Sequence, residues 1–69
     1  MNRTVVASSN IQSVGYDAES LTLEVEFLAG SIYQYFDVPA QIYDALIGAD
    51  SVGVFFAANV RGVYRYARV

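Results

Sequence analysis

The sequence lacks three residue types that often carry chemistry in proteins, because it contains no cysteine, no histidine and no lysine. Without cysteine it can form neither a disulfide nor a thiolate metal site, and without histidine it lacks the commonest nitrogen ligand. General acids and bases are then limited to aspartate, glutamate and tyrosine, and the serine, threonine and tyrosine hydroxyls have no histidine or lysine to activate them as nucleophiles. These absences predict a protein that is not an enzyme and that binds no metal or small-molecule cofactor.

Closely spaced acidic residues are the remaining candidates for a catalytic or metal site. Glu24 and Glu26 are expected on one strand face, roughly 7 Å apart, a separation that a glycosidase-like pair could use. Asp17 and Glu19 share a turn that could offer oxygen ligands. Both patterns are more typical of solvated surface residues, so we expect no catalytic and no metal-binding residues.

Long apolar runs are also missing. No segment approaches the ~20 apolar residues that cross a membrane, and Met1–Arg3 is not followed by the apolar core of a signal peptide. We therefore expect a cytoplasmic protein with no membrane partner.

The chain is short and unusually apolar. Its 69 residues form one domain, and a chain of this length buries only about 60% of the surface that its unfolded form exposes. Hydrophobic residues nevertheless make up 55% of the sequence. A small surface cannot hide so much apolar area, so we expect an exposed apolar or aromatic patch, and stabilisation must come from packing or self-association.

The charges are unevenly distributed along the chain. Four arginines stand against seven acids, and the net charge of −3 opposes long-range attraction to a nucleic-acid backbone. Every acid lies between Asp17 and Asp50, whereas Arg61, Arg65 and Arg68 fall in the last nine residues. The C-terminal segment is therefore a local basic strip on an acidic protein.

The stretch from Leu21 to Pro39 predicts the central element of the fold, an antiparallel hairpin. Leucine, valine and phenylalanine alternate with threonine and glutamate over residues 21–27, which is typical of a half-buried strand. Residues 32–36 are rich in aromatic and branched side chains that suit a second strand, and Ala29-Gly30 marks the turn.

Two registers of this hairpin are open, and they place the tyrosines on opposite faces. With a loop of two or four residues, Phe27 lies opposite Ile32, and Tyr33 and Tyr35 face solvent beside the glutamates. With a three-residue loop and Gly30 in the left-handed conformation, both tyrosines turn into the core. We prefer the first register because it groups Ile32 with the apolar face.

The remaining strands flank the hairpin. Residues 11–16 predict a strand with Val14 and Tyr16 on one side, and Val5–Ala7 is either an edge strand or a loose arm. The tail alternates from Val63 to Val69, which puts Tyr64, Tyr66 and Arg68 on one face of a terminal strand or an extended arm.

Two short helices are predicted between the hairpin and the tail. Pro39 ends the sheet and suits the first turn of a helix, which Gly48 closes in a left-handed conformation. Asp50 or Ser51 caps a second helix that stops at Gly62. The fold class is therefore α+β, a three- or four-stranded antiparallel sheet covered on one face by two short helices. The expected core is Leu23, Val25, Phe27, Ile42, Leu46, Phe55 and Phe56.

Four tyrosines and three arginines are the candidate binding residues. Rings on a sheet face can stack with the bases of single-stranded RNA while guanidinium groups meet phosphates. The same residue types are enriched at the centre of protein interfaces, and tyrosines also pack at sheet edges in a purely structural role. Arg61 has the further option of complementing the dipole of the second helix. The set is Tyr33, Tyr35, Tyr64, Tyr66, Arg61, Arg65 and Arg68.

The order and spacing of short motifs along the chain resemble the KTSC domain family. The matching segments are Ser9-Asn10-Ile11, Val14-Gly15-Tyr16-Asp17, Leu23-Glu24-Val25-Glu26-Phe27, Gly30, Tyr33-Gln34-Tyr35, Val38-Pro39, Tyr43, Ser51-Val52-Gly53, Phe56 and Tyr64-Arg65-Tyr66. The resemblance spans about residues 8–68, so the chain is expected to be a single KTSC-like domain over residues 1–69. The family occurs at the C-terminal end of certain lysyl-tRNA synthetases and as small free-standing bacterial proteins.

The resemblance implies no established activity, and it suggests RNA binding only through the fusion to a synthetase. Positions near the end that are often basic in the family are Val54, Val63 and Ala67 here, and Ala57 replaces an asparagine. We therefore expect a non-catalytic binding module that uses the Tyr33/Tyr35 face and the strip from Tyr64 to Arg68 to hold another protein or a second copy of itself. Single-stranded RNA binding through the same tyrosines, with the three arginines on its backbone, is the alternative.

Overall fold

A computed structural model describes residues 1–69 as five strands and two helices. In chain order these are β1 (Arg3–Val5), β2 (Ile11–Asp17), β3 (Thr22–Phe27), β4 (Ile32–Tyr35), α1 (Ala40–Ile47), α2 (Val52–Asn59) and β5 (Tyr66–Arg68). No helix has both the length and the apolar character needed to cross a bilayer.

The strands form one antiparallel sheet in the order β1-β2-β3-β4-β5. The α+β class and the central meander agree with the sequence, but the predicted count of three or four strands is too low. Both terminal segments, β1 and β5, are edge strands instead of loose arms, and each adds only three residues. The two helices lie in the connection between β4 and β5, and they cover one face of the sheet.

The hairpin register that we preferred is wrong, and the alternative is correct. The Phe27 amide donates to the Ser31 carbonyl at 2.9 Å, which leaves a three-residue loop whose Gly30 has a φ of +100°. Tyr35 therefore pairs with Leu23 and Tyr33 with Val25. Since directly paired residues share a face, both tyrosines lie on the helix-covered side with the buried leucine and valine.

Local capping interactions set the ends of the helices. Pro39 stands at the N-cap of α1 with an extended ψ of 150°, where its missing amide costs nothing. Gly48 caps the C-terminus of α1 in a right-handed conformation, so the predicted left-handed cap is wrong. The Ser51 hydroxyl accepts a hydrogen bond from the Val54 amide at 3.3 Å and caps α2, as predicted.

The core lies between the helices and β2–β4. Phe27, Ile42 and Phe55, which we expected in the core, are only partly buried at its margin. Four valines, an isoleucine and a tyrosine outside our expected set are buried in their place. The ten buried hydrophobic residues are Ile11, Val14, Leu23, Val25, Tyr35, Val38, Leu46, Val52, Phe56 and Val60.

The opposite face of the sheet is polar and hydrogen-bonded within itself. Glu24 accepts a hydrogen bond from the Gln34 side chain at 2.9 Å, and Glu26 accepts one from the Ser13 hydroxyl at 3.0 Å. Arg3 lies across both glutamates at 3.6 and 3.9 Å. The glutamate pair is therefore engaged in a network that fixes β1 to the sheet.

Candidate binding groove

A groove of about 800 Å³ opens on the helix-covered side of the sheet, at the end where the β3–β4 hairpin turns. Its wall consists of four aromatic rings, and Arg61 is the one charged residue that lines it. We call this site the aromatic groove. Its rings belong to Phe27, Tyr33, Tyr35 and Tyr66, and its polar margin includes Ser9, Asn10 and Ser31.

Strand pairing brings three tyrosines from two strands together. Tyr35 pairs directly with Tyr66 across β4 and β5, and Tyr33 lies two residues before Tyr35 on the same face. The ring centroids of Tyr33 and Tyr66 are 5.7 Å apart, those of Tyr35 and Tyr66 5.7 Å, and those of Tyr33 and Tyr35 6.5 Å. These separations lie in the range of attractive aromatic contacts, so the rings support one another.

Phe56 of α2 is buried and packs against two of the groove rings. Its ring meets Tyr35 edge to face at 5.4 Å and Phe27 at 5.7 Å, and Phe27 in turn meets Tyr33 at 5.7 Å. Exposure rises along the wall, from Tyr35 at 4% to Tyr66 at 61%. Only the outer part of the groove can therefore receive another molecule, while its inner part belongs to the hydrophobic core.

Arg61 carries the one formal charge in the groove lining. Burial raises the pKa of the Tyr35 phenol above its ordinary value of 10.0, the neighbouring Tyr33 and Tyr66 raise that pKa further, and Arg61 opposes the shift. Arg61 is exposed and takes part in none of the three ion pairs of the chain. No acidic residue lines the groove. An anionic group that entered it would meet an unpaired guanidinium.

The structure brings four of the seven predicted site residues together and separates the other three. Tyr33, Tyr35, Tyr66 and Arg61 all line the groove. Tyr64 packs against the core, and Arg68 lies in β5 opposite Tyr33, outside the lining. Arg65 forms an ion pair with Asp37 at 3.1 Å, and its guanidinium carbon lies 5.4 Å from the centre of the Phe36 ring.

The groove lining also includes residues that we did not predict from the sequence, among them Asn10 and Leu28. Asn10 accepts a hydrogen bond through its carbonyl from the Leu28 amide at 2.9 Å, and its side-chain oxygen lies 2.9 Å from where a Cβ at Gly53 would stand. The turn before β2 is thereby held between the hairpin loop and α2. The sequence did contain one indication of this site, because an apolar residue, Leu28, stands in the predicted hairpin turn. In the structure its side chain is 54% exposed.

No group of three or more Asp and Glu side chains is arranged to hold a metal ion. The Asp17 carboxylate accepts hydrogen bonds from the Ser20 hydroxyl and the Glu19 amide, which lower its pKa. Asp17 and Glu19 therefore form a self-capped turn. The arrangement of rings around a shared volume, with one cation at its margin, is suited to binding and offers no pair of groups for proton transfer.

Comparison with known proteins identifies the family. Residues 7–69 match the model of the KTSC domain. An uncharacterized protein of Stutzerimonas stutzeri is 43% identical over 70 residues, which cover 100% of this chain and 99% of that protein. The crystal structure of a KTSC domain protein from Yersinia pestis superposes with a TM-score of 0.93 at 35% identity, over 99% of this chain and 96% of that one.

A longer relative contains the same domain as a small part. The lysine–tRNA ligase of Trichormus variabilis is 34% identical over 61 residues, which cover 88% of this chain but 11% of the ligase. The match therefore covers one short segment of that enzyme. With the family model matched over nearly the whole chain and full-length relatives of the same size, this protein belongs to the KTSC domain family.

Proposed function

We propose that the protein is a non-catalytic binding module whose aromatic groove holds an apolar or aromatic side chain of a protein partner. The observation that carries this proposal is the open groove of about 800 Å³, which is lined by four aromatic residues and by Arg61, a residue without an ion-pair partner. Pockets of this size, mainly apolar with a few convergent polar groups, are typical of ligand sites. Tyrosine and arginine are also the residues most enriched where protein interfaces are strongest.

The energetic contribution of one side chain sets the expected affinity. Full burial of an aromatic or aliphatic side chain contributes about 1.5–3 kcal/mol. An edge-to-face contact with a groove ring adds about 0.5–1.5 kcal/mol. The sum of about 2–4.5 kcal/mol corresponds to a Kd between roughly 0.5 and 30 mM for an isolated residue. A natural partner must therefore make further contacts outside the groove.

Arg61 selects the charge of the ligand. It is the only charged residue of the groove lining, and no side chain of the chain neutralises it. A carboxylate beside the entering apolar group would form a charge-assisted hydrogen bond with the guanidinium. The preferred ligand is therefore an apolar or aromatic residue next to an acidic residue or a free carboxylate.

Amide NMR titration of the labelled protein with N-acetyl-phenylalanine tests this proposal. We expect shifts confined to residues 27–33, Tyr66, Arg61 and the Ser9-Asn10 turn, because these residues surround the groove. N-acetyl-glycine, which has the carboxylate alone, and N-acetyl-phenylalanine amide, which has the ring alone, should each shift the same amides less. Shifts scattered over the protein, or none at all, would contradict the proposal.

A matched pair of variants identifies the contribution of the cation. Arg61→Gln removes the free guanidinium at the groove, whereas Arg65→Gln removes one that is already paired on the other face of the sheet. We expect the first variant to weaken binding of N-acetyl-phenylalanine about tenfold, as loss of a charge-assisted hydrogen bond implies. The second variant should bind as the native protein does.

Single-stranded RNA remains the second candidate, favoured by one specific observation. Arg61 and Arg68 both lack ion-pair partners, and Tyr66 between them exposes most of its ring. A base could stack on that ring while the guanidinium groups contact phosphates. Of the three groove tyrosines only Tyr66 is exposed, because Tyr35 is buried and Tyr33 half-buried, and the net charge of −3 opposes the approach of RNA.

A further inference from the structure

The outer edge of β5 is an unpaired sheet edge. Strand β5 bonds β4 on one side only, and all three of its residues are exposed. Sheet edges with free amides and carbonyls pair readily with another strand, and proteins usually protect them with charge, proline or a covering loop. Apolar side chains are exposed at this edge, with Tyr66 of β5 at 61% and Val69, the residue after β5, at 63% exposure.

The register with β4 fixes which backbone groups point outward. The Phe36 amide donates to the Arg65 carbonyl, and the Val69 amide donates to the Ile32 carbonyl. The backbone groups of Arg65 and Val69 therefore point inward, toward β4. Inward and outward positions alternate along an antiparallel strand, and Ala67 is therefore inward as well. Tyr66 and Arg68 remain, and their amides and carbonyls point away from the sheet.

We propose that β5 pairs with β5 of a second copy, antiparallel and centred on Ala67. In this register Tyr66 lies opposite Arg68 of the second copy, and Arg68 lies opposite its Tyr66. Both residues carry the outward backbone groups, so the two pairs exchange about four main-chain hydrogen bonds. The segment is thus complementary to itself, as a two-fold interface requires.

The side chains are complementary in the same register. Tyr66 and Arg68 share the helix-covered face, because they pair with Tyr35 and Tyr33 of β4. Each Tyr66 ring would receive the guanidinium of Arg68 from the second copy, a cation–π contact between two groups that are exposed in the single chain. The other edge strand, β1, has no free guanidinium for such a contact, because Arg3 is already paired with Glu24 and Glu26.

The interface would join the two aromatic grooves. Tyr66 lines the groove of its own chain and also borders the proposed interface, so each copy would contribute Arg68 to the margin of the other groove. Ten strands would then form one continuous sheet, with both grooves open on the same face. This inference goes beyond the proposed function and does not depend on whether the groove binds a side chain.

Cysteine cross-linking tests the pairing directly, because the native chain has no cysteine. Opposed residues that do not exchange hydrogen bonds have Cα atoms about 4.5 Å apart, within the range that a disulfide spans. We expect Ala67→Cys to form disulfide-linked dimers at least about tenfold faster than Ala45→Cys, which places its thiol on the exposed face of α1. Equal rates for the two variants would overturn the proposal.

The unmodified protein provides the second measurement. Interfaces this small are weak, so we expect the rotational correlation time to rise only near millimolar protein concentration. In the same range, hydrogen exchange of the Tyr66 and Arg68 amides should slow, while that of Ala67, already bonded to β4, should not change. A protein that stays monomeric at about 1 mM, or a dimer in which neither amide gains protection, would overturn the proposal.

A charge substitution at the two-fold axis supplies the control. Ala67→Glu places two carboxylates directly opposite each other, which should weaken the dimer by up to about fivefold relative to the neutral Ala67→Gln. Mixing Ala67→Glu with Ala67→Lys should restore association, since the opposed charges are then unlike. Restoration is expected only if the two copies meet at this residue, and its absence would count against the interface.

Discussion

The hairpin register predicts which of two adjacent residues, Tyr35 or Phe36, loses more stability when it is truncated to alanine. Tyr35 is buried on the helix-covered side, with its ring centre 5.4 Å from that of Phe56. Phe36 is only partly buried and lies on the opposite face, beneath the Arg65 guanidinium. We therefore expect Tyr35→Ala to destabilise the protein far more than Phe36→Ala.

The magnitudes follow from burial. Removing a fully buried aromatic ring costs about 3–5 kcal/mol, because the transfer free energy is lost and a cavity remains. For Phe36, about half of the ordinary burial term and a weak cation–π contact give a cost of about 1.3–2.5 kcal/mol. A chain of this length has a free energy of unfolding of about 3–10 kcal/mol. Tyr35→Ala removes a large part of that value.

Urea denaturation followed by far-UV circular dichroism measures both losses by linear extrapolation. If Tyr35→Ala is unfolded without urea, the milder pair Tyr35→Leu and Phe36→Leu preserves the comparison. A larger loss for Phe36 than for Tyr35 would refute the register and, with it, the position of the aromatic groove.

Three further outcomes follow from single contacts. Gly15→Ala should cost about 1–3 kcal/mol and speed hydrogen exchange in β1, because its Cβ would lie 2.6 Å from the Asn2 carbonyl oxygen. Ser51→Ala removes the cap of α2 and should cost about 0.5–2 kcal/mol in urea denaturation, whereas Ser51→Asp, which can cap, should restore most of it. The pKa of Tyr35 is raised above 10.0, so the folded state holds this proton more tightly than the unfolded chain does. Its contribution to the free energy of unfolding is therefore fully present below about pH 10 and is lost as the pH rises toward the pKa of the folded state. Urea midpoints measured from about pH 9 to about pH 11 should show this loss, and Tyr35→Phe should make it smaller.

Much of the architecture was predictable because its signals are local. The alternation of residues 21–27 gave β3, Pro39 marked the start of α1, and Ser51 marked the start of α2. The alternation of the tail correctly put Tyr66 and Arg68 on one face. Strands β1 and β5 contain three residues each, too few for periodicity to separate a strand from an arm.

The register of the hairpin could not be decided from hydrophobicity, because β4 is apolar on both faces. Ile32 and Phe36 lie on one side, Tyr33 and Tyr35 on the other, so either set could face the core. The length of the loop decides between them, and it depends on the positive φ of Gly30. The sequence allowed that conformation but did not require it.

The composition of the candidate site was predictable only in part, because it depends on contacts between segments that are distant in the sequence. Tyr33, Tyr35 and Tyr66 come together because β4 and β5 pair, and the tail did show a strand-like pattern. The contribution of Asn10 depends on a contact between the turn before β2 and the hairpin loop, which no local pattern specifies. Arg65 lies on the other face from Tyr66 and Arg68 because side chains alternate along the strand, and on that face it contacts Asp37 and the Phe36 ring.

One pair of amide NMR titrations distinguishes most directly between an aromatic groove that binds a protein side chain and one that binds a nucleic acid. The labelled protein is titrated with N-acetyl-phenylalanine and, separately, with a decamer of uridylate, each at low and at physiological salt. If the groove holds a protein side chain, we expect shifts around it with the aromatic acid at both salt concentrations, and none with the RNA at physiological salt. RNA-induced shifts at Arg61, Tyr66 and Arg68 that weaken steeply with salt, without a response to the aromatic acid, would contradict the proposed function.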